Sequence, residues 1–267
     1  MAAFFLLGNS GPSQMFGCVI QTENYTVIID GGTTEDEKQL VEFLDKNADS
    51  HVDAWFFTHP HHDHIGCFVN ICKNAPQITV DKIYHHFPDL EKIQSHTRTE
   101  IEAALVVDFF ELTQNKESRK LSVNDVFIFD NVSFRILRVY NPAITQNFIN
   151  NSSTVYRIDS DQGSFLILGD LGVEGGNELM KNCPLSLLKT EYTQMAHHGQ
   201  YGVSKEFYDY INPKKCIWPS PNWLWNNDAG NGYDTGPWQT VRTREWVAAL
   251  GVTEHIVEKD GIQKLNF

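Results

Sequence analysis

The sequence predicts an α/β (α+β) fold in which two β-sheets pack together with helices outside. Three observations predict it. Strand and helix signals mix in both halves of the chain. Hairpin signals dominate the middle, with β-α alternation on either side. A short apolar strand, Val52 to Phe57, delivers the chain directly into a cluster of histidines.

The elements follow in order. The apolar run from Met1 to Gly8 reads as a first strand turning at Asn9-Ser10-Gly11-Pro12. It has no basic flank, and the polar turn comes too soon for a signal peptide or a membrane span. Val27 to Asp30 is a buried strand stopped by Gly31-Gly32. Glu35 to Lys46 carries apolar residues at 40, 41 and 44 on a charged background, a helical spacing. Ile65 to Cys72 is a helix leaving the histidine cluster, and Ile83-Tyr84 a further strand. Asp89 to about Glu117 reads as one long amphipathic helical stretch, started by Pro88 and Asp89.

Two hairpins come next. Val126 to Phe129 and Val132 to Val139 flank Asp130-Asn131, and Thr154 to Ile158 and Ser164 to Leu168 flank residues 159–163. Beyond Gly169-Asp170 a helix is expected over 173–182. Tyr192 to Ala196 is a strand ending in His197-His198-Gly199. Ser204 caps a helix to Ile211, and Cys216 to Trp218 is a strand. Gln239 to Leu250 is a helix, and a closing strand pair turns at Asp260-Gly261.

A single domain over 1–267 accommodates these elements and leaves room for a substantial core. Lys and Arg number 21 and Asp and Glu 34, so the net charge is 21 − 34 = −13. Such a surface is poorly suited to tracking an extended nucleic acid, and a small-molecule substrate is expected. Nothing indicates a membrane partner, and oligomeric state is not legible. The five cysteines, Cys18, Cys67, Cys72, Cys183 and Cys216, are odd in number and lack C-x-x-C spacing. They read as small buried hydrophobes in a reduced, cytoplasmic protein.

The chemistry lies in Thr58-His59-Pro60-His61-His62-Asp63-His64-Ile65-Gly66. His59, His61, Asp63 and His64 stand at the spacing H-x-H-x-D-H. Neutral imidazole and carboxylate together suit zinc and neighbouring divalent metals. A strand end aims side chains at one point, and the loop after it curls around that point. His59 and His61 alternate and face one metal; Asp63 and His64 lie further round and face a second. The competing reading is a helix cap at Asp63 or His64 with surface histidines beside it.

This run resembles the signature of the metallo-β-lactamase superfamily. Val27 to Gly32 is similar to the early strand of that family ending in Asp-Gly, and Phe165 to Asp170 to its later strand ending in Gly-Asp. Ala196-His197-His198-Gly199 and Asn150-Asn151-Ser152-Ser153 resemble the branch holding the hydrolase-like domain of DNA-uptake channel proteins and the phosphorylcholine esterases. The resemblance covers most of the chain, in order. It implies a four-layer αββα sandwich with a dinuclear metal site along one edge of the sheets.

It further implies two divalent metal ions, zinc foremost, with manganese or iron as alternatives. His59 and His61 would bind the first, Asp63 and His64 the second, and Asp170 would bridge them. One histidine of the 197–198 pair would complete the second site; His197 is favoured and His198 is the close alternative, the other contacting substrate. Many family members carry a further first-metal histidine where this chain has Asn150 to Ser153, so the first site is expected to be more open. On its own, Asp170 would read as a turn residue or helix cap.

Other residues are weaker signals. Asp30 reads equally as a support for the ligands and as a turn residue. Tyr201 is a candidate substrate or oxyanion contact, or a packing residue. His85-His86 reads as a surface loop more than a pocket wall, and His51, His96 and His255 as structural. Trp218 to Asn227 holds three tryptophans in a long loop running to Trp238. That loop either lines a substrate pocket for a cationic or ring-bearing group or plugs the core.

The expected activity is metal-dependent hydrolysis by a dinuclear-metal-activated water, with Asp63, Asp170, His198 and Tyr201 around the reacting centre. A phosphodiester or related phosphoester is the favoured substrate. The alternatives are a carboxyl ester, lactone or thioester, and a non-catalytic metal- or ligand-binding relative. A redox role with iron ranks last, because no flavin-binding module accompanies the site.

Overall fold

Apolar side chains on both faces of the strands dictate the layering. In the computed structural model, which describes residues 2–97, 99–114 and 116–267, the strands are β1 (Ala3–Leu6), β2 (Gly17–Gln21), β3 (Thr26–Asp30), β4 (His51–Phe56), β5 (Thr79–His85), β6 (Glu117–Lys120), β7 (Val126–Phe129), β8 (Val132–Arg138), β9 (Val155–Asp159), β10 (Ser164–Ile167), β11 (Tyr192–Gln194), β12 (Lys215–Trp218), β13 (Glu254–Val257) and β14 (Gln263–Asn266). The helices are α1 (Glu37–Asn47), α2 (His62–Asn74), α3 (Leu90–Gln94), α4 (Glu100–Gln114), α5 (Val173–Asn182), α6 (Leu185–Leu188), α7 (Lys205–Ile211), α8 (Asn222–Trp225) and α9 (Thr240–Ala249). The first sheet runs β14-β1-β2-β3-β4-β5-β6 and the second β13-β12-β11-β10-β9-β8-β7.

Alternation along each strand splits its side chains between two cores. Ile29, Ala54 and Phe56 of the first sheet meet Phe134, Tyr156 and Ile167 of the second in the inter-sheet core. Their neighbours Ile28, Val52 and Trp55 face the opposite way, against Leu44 of α1, Phe68 of α2 and Phe109 of α4. On the far side, Leu166, Cys216 and Trp218 pack with Leu179 of α5, Phe207 of α7 and Val247 of α9. The result is the expected αββα order, helices covering both outer faces. Phe56 stacks on Tyr84 at 4.6 Å and on Phe134 at 5.1 Å, tying the sheets together. Truncating such a side chain to Ala costs about 3–5 kcal/mol.

Several element readings change. β2 and β6 lie where no strand was expected. β6 is wholly exposed and carries Glu117, Arg119 and Lys120, so no apolar alternation marks it; backbone pairing with β5 makes it a strand. The long helical stretch from Asp89 divides into α3 and α4, and its residues Arg98 and Asn115 lie outside the described residues, as does Met1 of the first strand. The closing strands do not pair with each other. β13 runs parallel to β12 in the second sheet, whereas β14 pairs antiparallel with β1 in the first. The cap at Ser204 is as expected: its hydroxyl accepts from the Phe207 backbone N–H at 3.3 Å.

Parallel pairing positions the site. β3 and β4 are parallel, as are β10, β11, β12 and β13. Their carboxyl ends all open on one edge of the sandwich, where residues 30, 58–64, 169–170 and 197–200 are gathered.

Candidate metal centre

Asp30 ends β3 with φ of 53° and is fully buried. The turn after β4 closes on it. The Thr58 N–H donates to Asp30 Oδ1 at 2.8 Å, and the Thr58 hydroxyl donates to Oδ2 at 2.6 Å. His64, in the first turn of α2, places Nδ1 2.7 Å from the same Oδ2. Asp30 therefore fixes the His64 ring and leaves Nε2 pointing into the cluster. Burial raises the Asp30 carboxyl above its usual range, with the His64 charge and hydrogen bond opposing.

Asp170 follows Gly169, whose φ is +57°; a Cβ there would stand 2.9 Å from Thr58 Cβ and from Ser153 Oγ. Glycine is required by both the backbone and the space. The Ser153 hydroxyl accepts from the Asp170 N–H at 3.1 Å. Asp170 is thus held facing the other half of the cluster. Its Oδ1 is 3.3 Å from His64 Nε2, and its Oδ2 is 3.6 Å from His59 Nε2 and 3.4 Å from His198 Nε2. His198 Nε2 is also 3.3 Å from Asp63 Oδ2.

Two groups of ligand atoms result, each with all its atoms within 4.8 Å of one another: Asp63, His64, Asp170 and His198, and His59, His61 and Asp170. Asp170 belongs to both. Buried His64 Nε2, His198 Nε2 and both Asp170 carboxylate oxygens have no hydrogen-bond partner. Unsatisfied buried nitrogens and oxygens converging from three segments fit a divalent cation.

The electrostatics divide the histidines. Burial drives His59 well below the usual histidine range and His61 down to about 4. For His64 burial acts the same way, but the Asp170 and Asp30 carboxylates override it and raise the ring to about 10. For His198 the burial effect is overcome by Asp170 and Asp63, which hold the ring well above its usual range. Burial would raise Asp63 and Asp170, yet the surrounding imidazoles hold both carboxyls well below the usual range.

Of the 197–198 pair, His198 is the one grouped with Asp63, His64 and Asp170. Both residues have positive φ, 52° and 57°, so the chain makes a tight left-handed turn there. The His197 N–H donates to the Gly169 carbonyl at 3.0 Å, and His198 Nδ1 lies 2.8 Å from the Pro219 carbonyl. This sends His198 inward to Asp63 and Asp170. His197 Nε2 stays at 3.8 Å from Asp170 Oδ2 and 3.4 Å from Asn150 Nδ2, on the side of His59 and His61. Of residues 150–153, Asn150 meets His197 and Ser153 holds the Asp170 backbone; Asn151 accepts from the Gly172 and Gly175 N–H groups, and Ser152 donates to the Ile149 carbonyl.

Tyr201 does not join the cluster. Its ring is 48% exposed, and its hydroxyl donates to the Pro237 carbonyl, beside a different cavity bordered by Val173 and Trp246. His85 packs among Phe87, Phe109 and Phe110. In the tryptophan-rich segment, Trp218 is fully buried against Trp225. Trp223 stacks near Trp238 and donates to the Pro12 carbonyl at 3.0 Å, bracing the loop before β2.

That loop carries residues the sequence did not flag. Gln14 Nε2 donates to Asp63 Oδ2 at 3.1 Å, and Gln200 Nε2 donates to Gln14 Oε1 at 2.8 Å. A cavity of about 340 Å³ opens beside the cluster, bordered by Gln14, His61, His62, Asp63, His96 and Phe148 among others. Glu258, just past β13, is 1% exposed with neither carboxylate oxygen hydrogen-bonded. No spacing marks these residues, which come from loops far apart in sequence.

A sequence profile of the metallo-beta-lactamase superfamily matches residues 18–214. The chain belongs to the metallo-beta-lactamase superfamily. Most members of the superfamily are hydrolases. A relative of the chain is ComE operon protein 3 of Bacillus subtilis (strain 168), 28% identical over 184 residues. The match covers 68% of this chain but 21% of that protein, so the chain spans about a fifth of its length. Among solved structures, the metallo-beta-lactamase fold protein YhfI from Bacillus subtilis superposes with a TM-score of 0.58 at 12% identity over 100% of both chains. A diphosphatase from the PhnP family gives 0.54 at 15% identity, covering 100% of this chain and 98% of that one. Unliganded yeast PDE1 gives 0.53 at 12% identity, covering 96% and 97%. At these identities the likeness is one of fold. Among the described residues no helix is long and apolar enough to cross a membrane.

Proposed function

We propose that this chain is a metal-dependent hydrolase of small phosphoesters, phosphodiesters first, acting as one domain over residues 1–267. The observation that carries the reading is the sharing of Asp170 between two ligand groups. His59, His61 and Asp170 would hold one divalent cation, and Asp63, His64, Asp170 and His198 a second, zinc being the metal that suits such nitrogen and oxygen donors best. When bound, such a pair supplies Lewis acidity and a nucleophilic water near neutral pH.

The residues of the chain do the rest. Asp30 orients His64, and Gln14 holds one oxygen of Asp63. His197 and Asn150, on the side of His59 and His61, are placed to donate to a phosphoryl oxygen where charge develops. Asn150 in place of an imidazole leaves that side with fewer strong donors to a cation and more room for substrate. The phosphoester preference draws support from fold neighbours described as a diphosphatase and as PDE1. The net charge of −13 supports a small substrate over an extended polyanion. We assign the protein to the cytoplasm because its five cysteines are unpaired and four of them are buried.

The test is turnover of bis(p-nitrophenyl) phosphate by zinc- and manganese-loaded protein, beside a thioester and a lactone. Phosphodiester cleavage that exceeds both others and vanishes on chelation supports the reading. Hydrolysis of the thioester or lactone alone overturns it.

A further inference from the structure

We propose that the cavity beside the ligand cluster is a subsite for a flat heteroaromatic ring, such as a nucleobase, attached to the phosphoester. This rests on the phosphoester reading above and deepens it.

The cavity starts at the cluster, because His61 and Asp63 form part of its wall. A phosphoryl group over His59, His61 and Asp170 would therefore direct one of its substituents into it. Its volume of about 340 Å³ stands at the low end of the roughly 300–1,000 Å³ typical of ligand cavities. One compact group fits, and a polymer does not.

The walls match the two surfaces of a heteroaromatic ring. Phe148 is buried, and the His96 ring lies over it at a centroid distance of 4.3 Å and 33°. Phe148 is held from behind: Tyr140 packs edge-on at 5.6 Å, and the Lys92 ammonium, bonded to the Tyr140 hydroxyl at 2.8 Å, lies 5.1 Å from the Phe148 centroid. His62, 44% exposed at its side chain, supplies a further ring at the mouth. The exposed His96 ring, backed by Phe148, and the His62 ring offer faces for stacking, and stacking is tolerant of ring identity. Polar residues border the same space: Gln14, Thr145 and Asn147. They suit the nitrogen and oxygen edge of a nucleobase better than a plain hydrocarbon. Asn147 adopts φ of 40°, a left-handed turn in the segment that borders the cavity.

The test is calorimetric titration of zinc-loaded protein with adenosine 5′-monophosphate and with ribose 5-phosphate, which share the phosphate and sugar and differ in the ring. The nucleotide is expected to bind at least about tenfold more tightly. Phe148→Ala should collapse that ratio towards one. Because Phe148 is buried and its loss can unfold the loop, the exposed His96→Ala provides a second reading and should reduce the ratio several-fold. Equal affinities in the unsubstituted protein, or a ratio unmoved in both variants, overturns the subsite. The two ideas fail separately. A protein that binds the nucleotide preferentially yet never cleaves bis(p-nitrophenyl) phosphate sinks the hydrolase reading alone. One that cleaves it without preferring the nucleotide sinks the subsite alone.

Discussion

Asp30 and His64, 34 residues apart in sequence, meet at 2.7 Å with both side chains fully buried. The carboxylate also accepts two hydrogen bonds from Thr58, so neither it nor the imidazole has freedom to rotate. The bond fixes which ring nitrogen of His64 faces the cluster. Partners of this kind set tautomer, orientation and basicity of a metal-binding histidine.

Asp30→Asn should therefore weaken cation binding without touching a ligand. The expected loss is about 10- to 100-fold in affinity for the zinc ion that Asp63, His64, Asp170 and His198 would hold. Competition with a chromogenic chelator would measure it. Unchanged affinity would mean that His64 holds its orientation without Asp30.

Asp170→Asn and the two histidine variants divide the site further. Asp170→Asn removes the shared carboxylate, and phosphodiesterase turnover should fall by at least about a hundredfold. His198→Ala should lower the metal content to one equivalent, since its Nε2 lies 3.3 Å from Asp63 and 3.4 Å from Asp170. His197→Ala should keep both equivalents and lower kcat. Elemental analysis beside steady-state kinetics separates these outcomes, and metal loss in His197→Ala but not in His198→Ala would reverse the assignment.

Much of this arrangement is legible in sequence because its strongest signals are local. H-x-H-x-D-H sits within six residues at a strand end, and its reading needs no tertiary information. Gly169-Asp170 and His197-His198 become informative only beside it. The choice between His197 and His198 depends on two consecutive left-handed residues, a backbone state that sequence does not announce for histidine. β6 is hidden because an edge strand with exposed charges has no apolar period. β14 and β13 look like a hairpin because a turn signal sits between them, yet each completes a different sheet. Gln14, His96 and Phe148 are drawn from three separate segments, which no pattern along the chain connects.

Cation binding should release protons. Without metal, the Asp170 and Asp30 carboxylates raise His64 to about 10, which keeps it protonated at pH 7, and Asp170 and Asp63 shift His198 in the same direction. A cation on either Nε2 displaces that proton, so affinity rises with pH up to the folded-state value and falls as the solution is acidified. Calorimetry in buffers of different ionisation enthalpy reads the number released. A count of zero at pH 7 would contradict protonated rings.

Glu258 gives a stability prediction of opposite form. Burial holds its carboxyl well above 4.5, with the nearby His198 charge opposing. Its folded-state pKa is therefore raised, so the folded protein binds more protons than the unfolded chain between 4.5 and that raised value. Stability falls as pH rises through this window. Glu258→Gln removes the ionisation, and should raise Tm at pH 7 while changing it little below about pH 4. A variant equally or less stable at pH 7 would show that the buried carboxyl is ionised and compensated.

The candidate ligands are divided between the two sheets. His59, His61, Asp63 and His64 follow β4 of the first, whereas Asp170 and His198 follow β10 and β11 of the second. A cation held by both sets would rivet the layers at one rim, beside the hydrogen bonds from the Tyr156 hydroxyl to the Phe57 carbonyl and from the Thr154 N–H to the Thr58 carbonyl that already cross there. Loading would then be felt as mechanical stiffness along the seam. Amide exchange at His197, whose N–H bonds to Gly169, should slow well beyond the amides of the distant β6 edge.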